Sequence, residues 1–197
     1  MFKVGITGNI GSGKTTVSKI FELLGVPVFY ADDQAKQVMI NDAELIAALK
    51  AEFGNNAYFD DGVLNRKYIA GIVFNDDAKL ARLNALVHPA VFRAFDKWVL
   101  QQNHVPYVLK EAALLFESAS YKMCDRSIMV TAPFMLRMQR IALRGDISRP
   151  EAEKRDARQF SEEKKTALAD DIIINDNSQL VIPQVLALHQ QYLALTQ

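Results

Sequence analysis

Short apolar, β-branched runs recur along the chain at residues 2–7, 26–30, 107–109, 127–131 and 171–175. Runs of that length, bounded by turn-forming residues, predict buried strands. Between them the apolar positions fall at helical intervals. Val17, Ile20, Phe21 and Leu24 mark a helix over 14–24, and Leu45, Ile46, Leu49 and Phe53 mark another over 42–53. Leu80, Leu83, Val87, Val91, Phe95 and Trp98 extend a helical pattern over 76–102, in which Pro89 is expected to break or restart the helix. The tail Val181–Leu195 is amphipathic. Strands alternating with helices predict an α/β fold, a parallel sheet covered on both faces.

The spacing of the strands is uneven. About 75 residues of mostly helical pattern separate the second and third runs, far more than a simple crossover needs. A helical subdomain is therefore expected over 36–104, inserted into a core made of 1–35, 105–138 and 166–197. A second excursion, 139–165, separates the fourth and fifth runs and holds Arg140, Arg144, Arg149, Arg155 and Arg158, half of the ten arginines.

Composition narrows the classes. Half of the residues are hydrophobic and the formal net charge is zero, so the whole molecule has no polyelectrolyte attraction for nucleic acid or an anionic membrane. One cysteine, Cys124, rules out an intramolecular disulfide and a cysteine zinc site. No run of about 18 apolar residues is present. With the first motif opening at Gly8, no leader is expected and the protein is expected in the cytoplasm.

That motif is Gly8-Asn9-Ile10-Gly11-Ser12-Gly13-Lys14-Thr15, which fits G-x-x-x-x-G-K-[ST]. Its glycines let the backbone curl so that successive N–H groups face phosphate oxygens, and the following helix adds its N-terminal donors. Gly11, Ser12, Gly13, Lys14, Thr15 and Thr16 are the expected ATP-binding residues. Lys14 bridges the β- and γ-phosphates and the Thr15 hydroxyl ligates Mg²⁺. The motif follows a strand and opens a helix, which is the context it requires.

Asp32 and Asp33 follow the second strand, at the edge where open α/β sheets bind ligands. One of them can accept a proton from an attacking hydroxyl or help to hold Mg²⁺, and both equally suit a helix cap. The arginines of 139–165 suit a lid over the triphosphate. With Asp146, Glu151, Glu153 and Asp156 interleaved they also suit a locally paired, solvated face. Ser148-x-x-Glu151 with Pro150 predicts a capped helix start inside the segment. His88, beside Pro89, reads as a structural histidine, and Glu117 as a ligand or a surface charge. Phe53, Tyr58, Phe59, Tyr68 and Phe74 read as core or as a pocket lining.

Together these segments resemble the dephospho-coenzyme A kinases over nearly the whole chain. The similarity is carried by the phosphate loop, by Ala31-Asp32 with Ala35-Lys36, and by Leu83-Asn84 through His88-Pro89. Leu114-Leu115-Phe116-Glu117, Gln139-Arg140 with Arg144, and Ala169-Asp170-Asp171 with Asn175 complete it. The chain departs from the family pattern at Tyr30, often Asp, at Lys36 for Arg, and at Ala113 for Pro. The resemblance implies a P-loop nucleotide-kinase core with three layers and a five-stranded parallel sheet, a helical substrate domain and a lid. It also implies Mg²⁺-dependent transfer of the ATP γ-phosphate to the ribose 3′-hydroxyl of dephospho-CoA. Asp32, Lys14 and Arg140 become the expected catalytic residues, Arg144 and Asn175 further ATP contacts, and His88, Lys36 and Glu117 substrate-side residues. Thr15, or Thr15 with Asp32, becomes the metal site. Adjacent residues of an extended chain point to opposite sides, so only one aspartate is expected to face the phosphate, and the family pattern selects Asp32. The competing readings are another P-loop nucleotide or small-molecule kinase and a non-catalytic P-loop switch. The Asp-x-x-Gly and Asn-Lys-x-Asp motifs of GTPase switches are absent.

Overall fold

The computed structural model, which describes residues 1–74, 76–145 and 147–196, joins the five apolar runs into one parallel sheet. Asp146, counted above among the acidic residues of the second excursion, lies outside the described residues. The strands are β1 (Phe2–Thr7), β2 (Val28–Tyr30), β3 (Tyr107–Glu111), β4 (Arg126–Thr131) and β5 (Asp171–Ile174), in the order β2-β3-β1-β4-β5. β1 lies at the centre, with Val4 opposite Leu109 on one side and Arg126 on the other. Val4, Gly5, Ile6 and Thr7 are buried in succession without alternation, as in a strand covered on both faces. β3 runs two residues beyond its apolar stretch, so Lys110 and Glu111 are strand residues and are buried.

The chain divides into two compact units, Met1–Tyr30 with Gln101–Gln197, and Ala31–Leu100. In the sheet unit, α1 (Lys14–Leu23) and α9 (Val181–Leu195) cover one face. Val17, Phe21, Val185 and Tyr192 from these helices pack with Val4, Ile6, Leu109, Ile128 and Ile173 from the strands. After β4 come α6 (Phe134–Arg144), α7 (Arg149–Ala157) and α8 (Glu162–Leu168). Ser148 caps α7 by accepting from Glu151 N, with Pro150 in the first turn, as its sequence pattern predicts.

The second unit is helical: α2 (Ala31–Asn41), α3 (Ala43–Phe53), α4 (Arg66–Val73) and α5 (Asp77–Leu100). Asp42 caps α3, its carboxylate accepting from Leu45 N at 2.9 Å and pairing with Arg93 at 2.9 Å. That backbone bond first, and then Arg93, holds the Asp42 carboxyl below its usual range. Phe53 and Tyr58 are buried in this unit, whereas Phe59 and Phe74 are 54% and 47% exposed, so the five aromatics do not form one lining.

Two expectations are corrected here. Pro89 does not interrupt its helix: α5 is continuous for 24 residues. A mid-helix proline costs about 3 kcal/mol. Val87, Val91 and Phe95 are buried on the same helix, each worth about 1.5–3 kcal/mol, and together they outweigh it. Nor are Asp32 and Asp33 in extended chain. The helix α2 starts at Ala31, so both lie in its first turn, where carboxylates oppose the positive end of the dipole. Their side chains are about 100° apart around the helix rather than on opposite sides.

Candidate active site

β1 ends at Thr7 and α1 begins at Lys14, and the six residues between them make the phosphate loop. Gly11 and Gly13 adopt φ of 82° and 94°, the left-handed region that glycine enters without strain. A Cβ at Gly11 would sit 2.6 Å from Arg137 O, and one at Gly13 would sit 2.3 Å from Asn175 Nδ2. Glycine at these positions therefore allows both the turn and the close approach of α6 and of the chain after β5. Ser12 is buried, and its carbonyl accepts from Asn175 Nδ2 at 2.8 Å and from Arg140 Nη1 at 3.4 Å.

A cavity of ≈340 Å³ opens against this loop, lined by Ile10, Gly11, Gly13, Lys14, Thr15, Thr16, Arg140, Leu143 and Arg144. Its size is in the range of small-molecule sites. Six of its lining residues come from the loop and the first turn of α1, where unpaired N–H groups and the positive dipole end favour an anion. Three cations, Lys14, Arg140 and Arg144, converge on it.

The carboxylate facing this group is Glu111, the last residue of β3. Its Oε1 accepts from the Thr15 hydroxyl at 3.0 Å and lies 3.8 Å from Lys14 Nζ. Sequence reasoning missed it. Its place at the carboxyl end of a central strand is the signal that points to it, since ligands in open α/β sheets sit there.

The other expected residues divide. Arg140 reaches back from α6, donating through Nη2 to Asn175 O at 2.9 Å and to Asn177 Oδ1 at 2.9 Å. Burial pulls its pKa down and Asp176 opposes that shift. Asn175 does not line this cavity: its side chain donates to the Ser12 carbonyl and so supports the loop from behind. Glu117 is 12% exposed and engaged by the protein, with Oε1 3.1 Å from Lys165 Nζ and accepting from Phe160 N at 2.7 Å. Asp32, Lys36 and His88 belong to the helical unit. Asp32 is exposed in the first turn of α2. Lys36 donates to Asp33 at 2.7 Å, and His88 stacks on Phe92 one turn along α5 with centroids 6.3 Å apart. A cavity of ≈270 Å³ between α2 and α5 is lined by neither Asp32, Lys36 nor His88.

Four of the five arginines of 139–165 fall into two groups. Arg140 and Arg144 line the phosphate-loop cavity, while Arg149 and Arg155 pair with Glu153 and Glu151 along α7. The buried arginine of this region is Arg137, one turn before Arg140. It pairs with Asp156 at 2.6 Å and donates to Ile10 O at 3.1 Å. Lys165 is fully buried, donating to Ala113 O at 2.8 Å, and burial lowers its pKa against the opposing pull of Glu117.

The family model described as dephospho-CoA kinase matches residues 2–180. A dephospho-CoA kinase of Salinibacter ruber is 40% identical over 180 residues, which covers 90% of each chain. The crystal structure of TT1252 from Thermus thermophilus superposes with a TM-score of 0.81 at 32% identity, covering 98% of this chain and 96% of that one. The dephospho-CoA kinase from Campylobacter jejuni gives a TM-score of 0.71 at 25% identity, covering 99% and 98%.

Proposed function

The chain belongs to the dephospho-CoA kinase family, an ATP-dependent phosphotransferase, and on that premise we propose how its own residues divide the work of the reaction. The loop of Gly11, Ser12 and Gly13, with the first turn of α1, cradles the ATP phosphates through backbone N–H donors. Lys14 carries charge to the β- and γ-phosphates, while Arg140 and Arg144 oppose charge on the transferring group. What supports this assignment is the convergence of these cations with Thr15 and Thr16 on one cavity.

A hydroxyl and a carboxylate are the hard oxygen donors that Mg²⁺ takes, and Thr15 with Glu111 offers both within one hydrogen bond. These two residues would hold the metal with the phosphates. When bound, Mg²⁺ neutralises charge on the β- and γ-phosphates. This reading puts Glu111 in the metal site where the sequence suggested Asp32, and leaves Asp32 the proton-accepting role. Asp32 takes the proton of the ribose 3′-hydroxyl of dephospho-CoA as the new O–P bond forms and the bond to the β-phosphate oxygen breaks, releasing ADP. His88 and Lys36 serve the acceptor, residues 36–104 its domain, and 139–165 the lid. Glu117 has a positioning role, since its Oε1 is already taken by Lys165 and Phe160 N.

The test compares Asp32→Asn with Asp33→Asn. Asp32→Asn should lower kcat by about 10²–10⁴ with ATP affinity unchanged, the usual worth of a positioned proton acceptor. Asp33→Asn should cost far less. A dead Asp33→Asn beside an active Asp32→Asn would reverse the assignment, and a loss of Mg²⁺-ATP affinity in Asp32→Asn would return that residue to the metal.

A further inference from the structure

The first half of the phosphate loop is held from outside by the segment that joins α7 to α8. Gln159 Oε1 accepts from Ile10 N at 3.0 Å. Asn9 Nδ2 donates to Asp156 Oδ1 at 3.2 Å and to Phe160 O at 3.1 Å. Arg137 Nη1 donates to Ile10 O at 3.1 Å and to Asp156 at 2.6 Å. Both backbone polar groups of Ile10 are thus taken by side chains from α6 and the base of the lid, none of them from β1 or α1.

Gln159 also reaches the other side of the site. Its Nε2 donates to Ala113 O at 3.4 Å, two residues beyond Glu111, whose carboxylate receives the Thr15 hydroxyl. One side chain therefore ties the phosphate loop to the strand end that carries the acidic partner of Thr15. Its own place is fixed locally, because Ser161 caps α8 by accepting from Lys164 N at 3.2 Å and Lys165 is anchored to Glu117 and Ala113.

We propose that Gln159 is a positioning residue for the phosphate cradle, and that the lid base, through Gln159 and the Asp156–Arg137 pair, sets the loop's conformation before nucleotide arrives. The inference rests on the reading that the cavity receives the ATP phosphates. A phosphate loop works through N–H donors aligned in advance, so any freedom returned to residues 9 and 10 must be removed again on binding. Loss of the Ile10–Gln159 bond then appears as weaker ATP binding and as faster exchange of the loop amides, while chemistry at saturation stays the same.

The experiment titrates the full-length protein with a non-hydrolysable ATP analogue and follows hydrogen exchange of the 8–13 peptide. Gln159→Ala should weaken the analogue about fivefold, the net worth of one hydrogen bond. It should speed exchange in that peptide and leave kcat and the KM for dephospho-CoA within twofold. Gln159→Glu, which keeps an acceptor for Ile10 N–H, should keep the exchange slow. Glu153→Ala, on the outer part of α7 where it pairs with Arg149, should change neither readout. Wild-type affinity in Gln159→Ala, fast exchange in both Gln159 variants, or an equal loss in Glu153→Ala would each overturn the proposal. Lys14→Ala in the same titration separates the two levels: intact affinity there overturns the phosphate assignment itself.

Discussion

Replacing Lys165 by methionine tests how α8 is anchored to Ala113 and Glu117. The side chain is fully buried, and its ammonium lies 3.1 Å from Glu117 Oε1 and 2.8 Å from Ala113 O. Methionine fills a similar volume but leaves the Glu117 carboxylate in a site where Oε2 already lacks a hydrogen-bond partner. Ala113 O suffers less, since it keeps Thr7 Oγ1 at 3.3 Å and Gln159 Nε2 at 3.4 Å. Breaking one side of a buried ion pair costs about 3–5 kcal/mol. Because Phe160 N still donates to Glu117 at 2.7 Å, the lower end applies, about 3 kcal/mol. For a chain of this length that lowers Tm by about 6–12 °C, measured by calorimetry at pH 7. The double variant Lys165→Met/Glu117→Gln removes the orphaned charge while keeping an acceptor for Phe160 N, and should recover to within about 1 kcal/mol of wild type.

The sign of the pH dependence follows from Lys165 itself. Burial lowers its pKa, so the folded state binds this proton less tightly than the unfolded state does. Stability from this group therefore rises with pH from the folded pKa up to the ordinary lysine value. The gap between wild type and Lys165→Met should widen over that alkaline window. A single variant melting within 1 °C of wild type would refute the role of the pair. A double variant as unstable as the single would show that packing, not the stranded carboxylate, carries the cost.

Two further perturbations address the loop and the helical unit. Lys14→Ala removes a charge-assisted contact worth about 1.5–3 kcal/mol, so calorimetric titration should show ATP affinity falling by about ten- to a hundredfold with Tm little changed. Near-normal affinity would remove Lys14 from the phosphate site. Asp42→Ala deletes the α3 cap and the Arg93 partner, and should cost about 1 kcal/mol by urea melt at pH 7. The Asp42 carboxyl sits below its usual range, so its stabilisation is complete above the unfolded carboxylate pKa and is lost as pH falls through the lower folded value. The difference between Asp42→Ala and wild type should close over that acid window, and a difference that persists below it would contradict the cap reading.

The features legible in the sequence are those whose cause is local. The loop from Gly8 to Thr15 declares itself because the glycines, the lysine and the hydroxyl are adjacent in the chain, and the centres of β1 and β4 because Val4, Ile6, Ile128, Met129 and Val130 are apolar and buried without alternation. Glu111 was not legible, since Lys110 and Glu111 end the apolar pattern of β3 while remaining buried within it. Arg137 and Gln159 were not legible for a different reason: they meet Ile10 across 127 and 149 residues of chain, and no local pattern encodes a partner at that distance. Counting arginines in 139–165 located a cationic segment without separating Arg140 and Arg144 from the paired Arg149 and Arg155. Pro89 shows the opposite case, a strong local signal overridden by burial along α5.

Transfer of phosphate from ATP to dephospho-CoA through the cavity beside Lys14 has a defined product balance. ADP release measured over a panel of acceptors, with mass analysis of the products, tests it most directly. The expected result is Mg²⁺-dependent release of one ADP per CoA formed with dephospho-CoA, abolished by Lys14→Ala, and only background release with nucleoside monophosphates or shikimate. Stoichiometric phosphorylation of one of those acceptors, with dephospho-CoA returned unchanged, would contradict it.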